Sequence, residues 1–184
     1  MSEQRCDDEL IRRAANGDTD SFDLLVRRYQ HPLQRFAARM LGGDSDTASD
    51  IAVGAFLRLW ENRRTFVPAG STYSWLIRAA FRLCIDHIES SRRNCCLNPN
   101  LPSAQNVDSR VESNALAQAV RDAVMSLPVD QRAVLILSTY EGLSYDEIAT
   151  SLDIPTGTVG SRKNHALTAL RRRLASWAET RNQP

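Results

Sequence analysis

The chain has 184 residues, 42% of them hydrophobic, with a formal net charge of +1, which suits one medium or two small folded domains and excludes disorder throughout. No apolar run approaches the ~18 residues needed to cross a bilayer, and the charged start from Met1 to Arg13 lacks a signal-peptide core, so a cytoplasmic protein is expected. Charge is unevenly spread: residues 1–61 carry eleven acids against eight arginines, whereas 156–173 hold Arg162, Lys163, Arg171, Arg172 and Arg173 with no acid.

Apolar residues at three- and four-residue spacing predict helices over Asp7 to Ala15, Ser21 to Leu41, Ala48 to Asn62 and Tyr73 to Ser91. In the second of these the stripe is Phe22, Leu25, Val26, Tyr29, Leu33 and Phe36. Breaks are expected at Asn16-Gly17, Gly42-Gly43 and Pro68 to Gly70. From Asn94 to Asn114 the character changes: two prolines, five asparagines and no sustained apolar period read as a flexible linker. Domain boundaries of 1–93, 94–114 for the linker and 115–184 follow. Beyond it, Leu116, Ala119, Val120, Ala123, Val124 and Leu127 mark a helix ended by Pro128, and Gln131 to Tyr140 form another closed by Glu141-Gly142. No strand-like alternation of useful length and no repeat is present, so the fold class is all-α, as two small helical domains.

The sharpest local pattern runs from Ser144 to Arg173. Ser144 with Glu147 three residues on is a capping-box arrangement, and Ile148, Ala149 and Leu152 supply a buried face. Asp153 can take the left-handed turn conformation that glycine usually fills, and Val159 closes a small core from the next helix. The pattern is a helix-turn-helix. With Thr156 as N-cap, Thr158, Ser161, Arg162, Lys163 and His165 are expected along the outer face of the second helix, the face a DNA major groove admits. Arg171 to Arg173 lie two turns further on and suit phosphate rather than bases. A helical hairpin with a solvated basic face is the competing reading, disfavoured by the absence of any acid in this segment.

Cys6, Cys84, Cys95 and Cys96 have neither a disulfide framework nor zinc spacing and read as reduced thiols. His31, His87 and His165 fall in different segments. No glycine-rich phosphate loop, metal-ligand cluster or catalytic triad is legible, so neither an enzyme nor a cofactor is expected.

Three C-terminal segments carry a resemblance: Leu127-Pro-Val-Asp-Gln-Arg-Ala-Val-Leu-Ile-Leu, Glu141-Gly-Leu-Ser-Tyr-Asp-Glu-Ile-Ala, and Gly157-Thr-Val-Gly-Ser-Arg. They resemble region 4 of extracytoplasmic-function sigma factors, whose usual text is close to LPxxQRxVLLL, EGLSYEEIA and GTVKSR. Tyr29 to Met40, Asp50 to Trp60, Trp75 to Asp86 and Ser91-Arg-Arg resemble region 2 of the same family, and region 3 is missing, as is typical of this compact group. The resemblance implies a factor that binds RNA polymerase core and directs it to promoter DNA. It implies recognition of the element near minus thirty-five by Thr156, Thr158, Ser161, Arg162, Lys163, His165 and Arg171. It also implies opening of the element near minus ten by the helix from Trp75 to Arg93 and the loop before it, through Phe66, Trp75, Arg78, Arg82, Arg92 and Arg93. Arginine suits phosphate and an aromatic ring can stack on a base, although Trp60 and Trp75 fit a core role better than base contact. The helix holding Asp50, Val53, Gly54, Phe56, Leu57 and Trp60 is implied to bind the clamp helices of the largest polymerase subunit, with the flap region and an anti-sigma factor as further partners.

One departure stands out. Family members read something like DAEDLVQETF where this chain reads Thr47-Ala-Ser-Asp-Ile-Ala-Val-Gly-Ala-Phe56, so two acids are hydroxyls and a Gln-Glu pair is Val53-Gly54. The polar face then keeps only Asp50, and Gly54 costs ~1 kcal/mol against alanine in a helix. Phosphorylation of Thr47 or Ser49 by a Ser/Thr kinase would restore the charge, as is similar in sigma groups lacking these acids. Thr47-x-x-Asp50 is equally an unmodified helix start. A weak core binder, or a DNA-binding regulator that does not program polymerase, remains the alternative.

Overall fold

A computed structural model describes residues 2–66, 71–97 and 113–181. Eight helices follow one another with no strand among the described residues: α1 Ser2–Ala15, α2 Thr19–Met40, α3 Ser45–Asn62, α4 Thr72–Leu97, α5 Ser113–Met125, α6 Val129–Thr139, α7 Tyr145–Leu152 and α8 Thr156–Arg181. Each expected helix is present. The expected break at Pro68 to Gly70 and the central part of the expected linker, 98–112, lie outside the described residues, while α4 continues to Leu97 beyond the expected domain end at 93.

Local chemistry sets the helix ends. Asp18 caps α2 by accepting the Ser21 amide at 3.1 Å and the Ser21 hydroxyl at 2.8 Å. At the other end of α2, Gly42 and Gly43 take positive φ, and the Gly43 amide donates back to the Ala38 carbonyl at 2.8 Å. Only glycine makes two such steps cheaply, so the chain reverses there into α3.

Helices α1 to α4 pack around Leu25, Leu33, Phe36 and Met40 of α2, Ile51, Ala55 and Leu59 of α3, and Leu76, Ile77 and Ala80 of α4. Helices α6 to α8 bury Val134, Ile136, Leu137, Ile148 and Val159, and a smaller cluster of Leu127, Leu135 and Ala166 joins α6 to α8 under Val124. The two groups are in contact. α2 lies on α6 and α4 lies on α7, so the main hydrophobic cluster runs unbroken from Leu10 to Val159.

Candidate polymerase and nucleic-acid interface

The helix-turn-helix is built as its residues dictate. The Ser144 amide donates to Glu147 Oε2 at 2.8 Å while the Glu147 amide donates to Ser144 Oγ at 3.3 Å, completing the capping box. Asp153 sits in the left-handed region (φ 59, ψ 49), and the Ile154 amide returns to the Ala149 carbonyl at 3.0 Å. Ile148, Leu152 and Val159 fill the angle between α7 and α8.

Two details of α8 differ from the sequence expectation. Thr156 is not its N-cap: the Pro155 carbonyl accepts the first amides, from Thr158 and Val159, and the Thr156 hydroxyl donates to Asp146 Oδ1 at 3.0 Å. Proline supplies a carbonyl and a preset φ, which suffices to start a helix. Nor do all five expected residues lie on the outer face. Ser161 and His165 are exposed, but Thr158, Arg162 and Lys163 are half-buried. Arg162 reaches back to Asp130 of α6 at 2.9 Å, and the Lys163 ammonium lies 5.3 Å from the Tyr145 ring centroid. The cause is helical period: Arg162 and Lys163 stand three and four residues after Val159 and so flank the buried Val159-Ala166 stripe. Gly157, Ser161, Asn164, His165 and Thr168 form the exposed face, with Arg171 to Arg173 exposed beyond it. Asn164 was missed by the sequence reading, and helical spacing from Val159 would have found it.

On α4 the aromatic and cationic residues separate. Phe66 and Trp75 meet edge to face, centroids 5.5 Å apart, and both pack against the core. Arg82, Arg92 and Arg93 are exposed. Arg78 is not: its Nη2 donates to the Thr150 carbonyl of α7 at 2.5 Å and lies 3.5 Å from Asp153.

The face of α3 is the third surface. Asp44 is the N-cap, accepting the Thr47 amide at 3.1 Å and the Thr47 hydroxyl at 2.7 Å, so the helix starts earlier than a Thr47 cap would give. These two bonds hold the Asp44 carboxyl below its ordinary value, the hydroxyl contributing most, against a smaller opposing effect of burial. Because of the earlier start, exposed Asp46 joins exposed Asp50 on the stripe that continues to Val53 and Leu57, so the expectation that only Asp50 remains is corrected. Val53 and Leu57 are each 56% exposed.

Three other residues expected at this surface serve packing. Phe56 is buried, Trp60 is half-buried with its ring 4.9 Å from that of Phe22, and Gly54 turns toward α4. A Cβ on Gly54 would stand 3.1 Å from Leu83 Cδ1, so the glycine lets two helices approach closely. Cys84 is buried, its thiol pushed up to about 12 by loss of water, whereas Cys6 is exposed. No group of side chains able to hold a metal is present among the described residues.

An all-helical chain that ends in a capped helix-turn-helix with an arginine cluster defines a DNA-binding protein of transcription. The sigma-70 region 2 family model matches residues 25–94 and the sigma-70 region 4 model matches 117–170. The ECF RNA polymerase sigma-E factor of Escherichia coli is 32% identical over 175 residues, covering 88% of this chain and 91% of that protein. The RNA polymerase sigma-H factor of Pseudomonas aeruginosa is 30% identical over 178 residues, covering 88% and 90%. Among solved structures, CnrH in complex with the cytosolic domain of CnrY shares the fold with a TM-score of 0.70 at 23% identity, covering 93% of this chain and 98% of that one. The sigma factor RpoE bound to the anti-sigma factor NepR from Bartonella quintana matches at a TM-score of 0.67 and 22% identity, covering 84% and 96%. The chain therefore belongs to the extracytoplasmic-function sigma factors of the sigma-70 family, which are transcription initiation factors rather than enzymes.

Proposed function

We propose that this sigma factor docks on polymerase core through the outer face of α3 and reads two promoter elements with α4 and α8. The observation that carries the core-binding part is the stripe Asp46, Asp50, Val53 and Leu57: two large aliphatic side chains more than half in water beside two carboxylates. A free protein gains nothing from such a stripe, whereas a basic partner with apolar ridges, as the clamp helices are expected to be, would cover it. The flap region is the expected partner of the C-terminal half. On α8, Ser161, Asn164 and His165 face outward for the minus-thirty-five element, with Arg171 on phosphate and Thr156, Thr158, Arg162 and Lys163 supporting the helix from its flanks. Phe66, Trp75, Arg78, Arg82, Arg92 and Arg93 serve the minus-ten element. Units of 1–93 and 115–184 joined by 94–114 divide this work, in the cytoplasm, under an anti-sigma factor of the kind named for the RpoE relative.

Regulation by a Ser/Thr kinase belongs to the same face. The Ser49 hydroxyl donates to the Ser45 carbonyl at 2.9 Å, three residues after Asp46 and next to Asp50, so a phosphoryl group there adds charge at the edge of the acidic stripe. At Thr47 the group would displace the hydroxyl from Asp44, setting two anions side by side and opening the cap. Ser49 is the better site.

Run-off transcription with purified core, together with core-binding measurements on wild type, Ser49→Glu and Thr47→Glu, tests both claims. A promoter-dependent transcript that needs core is expected, with core affinity rising about two- to fivefold for Ser49→Glu, the size of one exposed ion pair with a basic partner, and less for Thr47→Glu. Tight duplex binding without core and no transcript would make the chain a plain DNA-binding regulator. Equal core affinity for all three proteins would remove the phosphorylation claim.

A further inference from the structure

Past the end of α3 the chain makes a tight turn over residues 62–65. The Thr65 amide donates to the Asn62 carbonyl at 3.0 Å, the Thr65 hydroxyl donates to the same oxygen at 3.3 Å, and the Asn62 side-chain amide donates to the Arg58 carbonyl at 2.7 Å. Arg63 and Arg64 are the two central residues of that turn. With Ala15, Asn16 and Gly17 at the junction of α1 and α2, they line an open cleft of about 500 Å³.

The two arginines are placed differently. The Arg63 guanidinium lies 3.8 Å from the Trp60 ring centroid, and its Nη1 donates to the Trp60 carbonyl at 2.5 Å. Among the described residues its buried Nε has no partner, exposed Arg64 makes neither a hydrogen bond nor an ion pair, and no acid pairs with either guanidinium. Asp18, next to Gly17, is taken up by Arg13 at 2.9 Å and by the Ser21 amide and hydroxyl. One cation is thus fixed by its own helix end and the other is left open.

The lining selects the occupant. It offers two cations, one side-chain amide and no apolar group larger than alanine, so an apolar ligand gains little there. An anion with several oxygens matches a pair of guanidinium forks. The backbone adds no donor at this point, since the Gly17 and Asp18 amides are spent on the Ala14 and Arg13 carbonyls, each at 3.1 Å. Arg63 covers the Trp60 ring and Phe22 meets that ring at 4.9 Å, so the cleft holds phosphate without stacking a base. Arg64 stands two residues before Phe66, at most about 7 Å of chain, and Phe66 packs on Trp75 at the start of α4. A strand on the minus-ten surface has this cleft beside it.

We infer that Arg64, with Arg63 and Asn16, forms a phosphate clip that holds the backbone of single-stranded DNA next to the minus-ten surface without reading its sequence. The inference rests on the minus-ten role proposed for Phe66 and Trp75.

The full chain is titrated with a labelled single-stranded DNA oligonucleotide of mixed sequence over a range of salt. Arg64→Gln is expected to bind about two- to fivefold more weakly, the scale of one exposed ion pair. It should also flatten the slope of log affinity against log salt by about 0.7, one phosphate contact on a single strand. Arg27→Gln removes the same charge from an exposed position about 15 Å along α2 from Gly17, and should leave the slope unchanged. Asn16→Asp sets a carboxylate beside the arginines and should weaken binding, after which adding Arg64→Gln should cost little more. Equal slopes for wild type and Arg64→Gln, an equal loss in Arg27→Gln, or no binding by wild type at low salt overturns the clip. In amide NMR of the wild type, Gly17 and Arg64 should shift with the oligonucleotide more than with inorganic phosphate at equal ionic strength. Shifts with inorganic phosphate alone would make the cleft a site for a small phosphorylated ligand and overturn the strand contact. Transcription with core tests the sigma reading separately: its failure beside an altered Arg64→Gln slope would leave the clip in a plain DNA-binding protein.

Discussion

Arg132 is the residue on which two helix ends depend. Its guanidinium is buried, with no ion pair to an acid among the described residues, and it donates to the Met40 carbonyl at 2.7 Å, the Met125 carbonyl at 2.6 Å and the Leu127 carbonyl at 3.2 Å. Met40 and Met125 are the last residues of α2 and α5, where carbonyls lack helical partners and the dipole is negative. A fork of donors aimed at three carbonyls is something lysine cannot reproduce. Burial holds the Arg132 pKa below its ordinary value, with repulsion from Arg92 adding to it, yet arginine remains charged. Arg132→Met is therefore expected to cost about 2–3 kcal/mol in urea unfolding, the worth of hydrogen bonds to a charged group, and Arg132→Lys should recover less than half. A loss below about 0.5 kcal/mol, the scale of a surface substitution, would show that the carbonyls find other donors. In the sequence, Gln131-Arg132 was visible only as part of a family segment; the three carbonyls come from residues scattered from Met40 to Leu127, and no periodicity brings them together.

At the scale of elements, α3 shows what a sequence pattern leaves undecided. Asp44-x-x-Thr47 and Thr47-x-x-Asp50 both read as helix starts, and only the Asp44 side chain bonds the Thr47 amide and hydroxyl together. That choice of cap decides whether Asp46 belongs to the helix and hence how acidic the exposed stripe of α3 is. The capping box of α7, the left-handed Asp153 and each of the described helices were legible because their signals are local. The turning of Arg162 toward Asp130 was not, since Asp130 lies on another helix. Asp44→Ala should cost about 1 kcal/mol near neutral pH, as for other N-caps. Because the folded carboxyl is held below its unfolded value of about 3.9, its stabilisation is fully present above that value and is lost as pH falls through the folded pKa. The gap between wild type and Asp44→Ala should thus close in acid, whereas Asp44→Asn, which can cap but does not titrate, should keep a constant offset. A gap independent of pH down to acid unfolding would rule out the charged cap.

The whole molecule joins two helical groups that the sequence presents as separable. Composition marks 94–114 as a linker and says nothing of whether the groups touch, because the residues that join them sit on stripes that look self-sufficient within each half. Arg132, Ile136 and Tyr140 follow at four-residue spacing along α6 and its C-cap, and the outer two contact Met40 and Arg39 of α2, which places Ile136 between them against the same helix. Ile136 is fully buried within the cluster that continues into α2. Urea unfolding of the wild type should therefore be a single transition, with far-UV circular dichroism and the fluorescence of Trp60, Trp75 and Trp177 coinciding, although two tryptophans lie in one half and one in the other. Ile136→Ala should destabilise by about 2–5 kcal/mol and should separate the signals, since the α6 to α8 group loses its own core residue and the support of α2 together. A wild type that already unfolds in two steps would mean that the contact between halves is too weak to couple their folding.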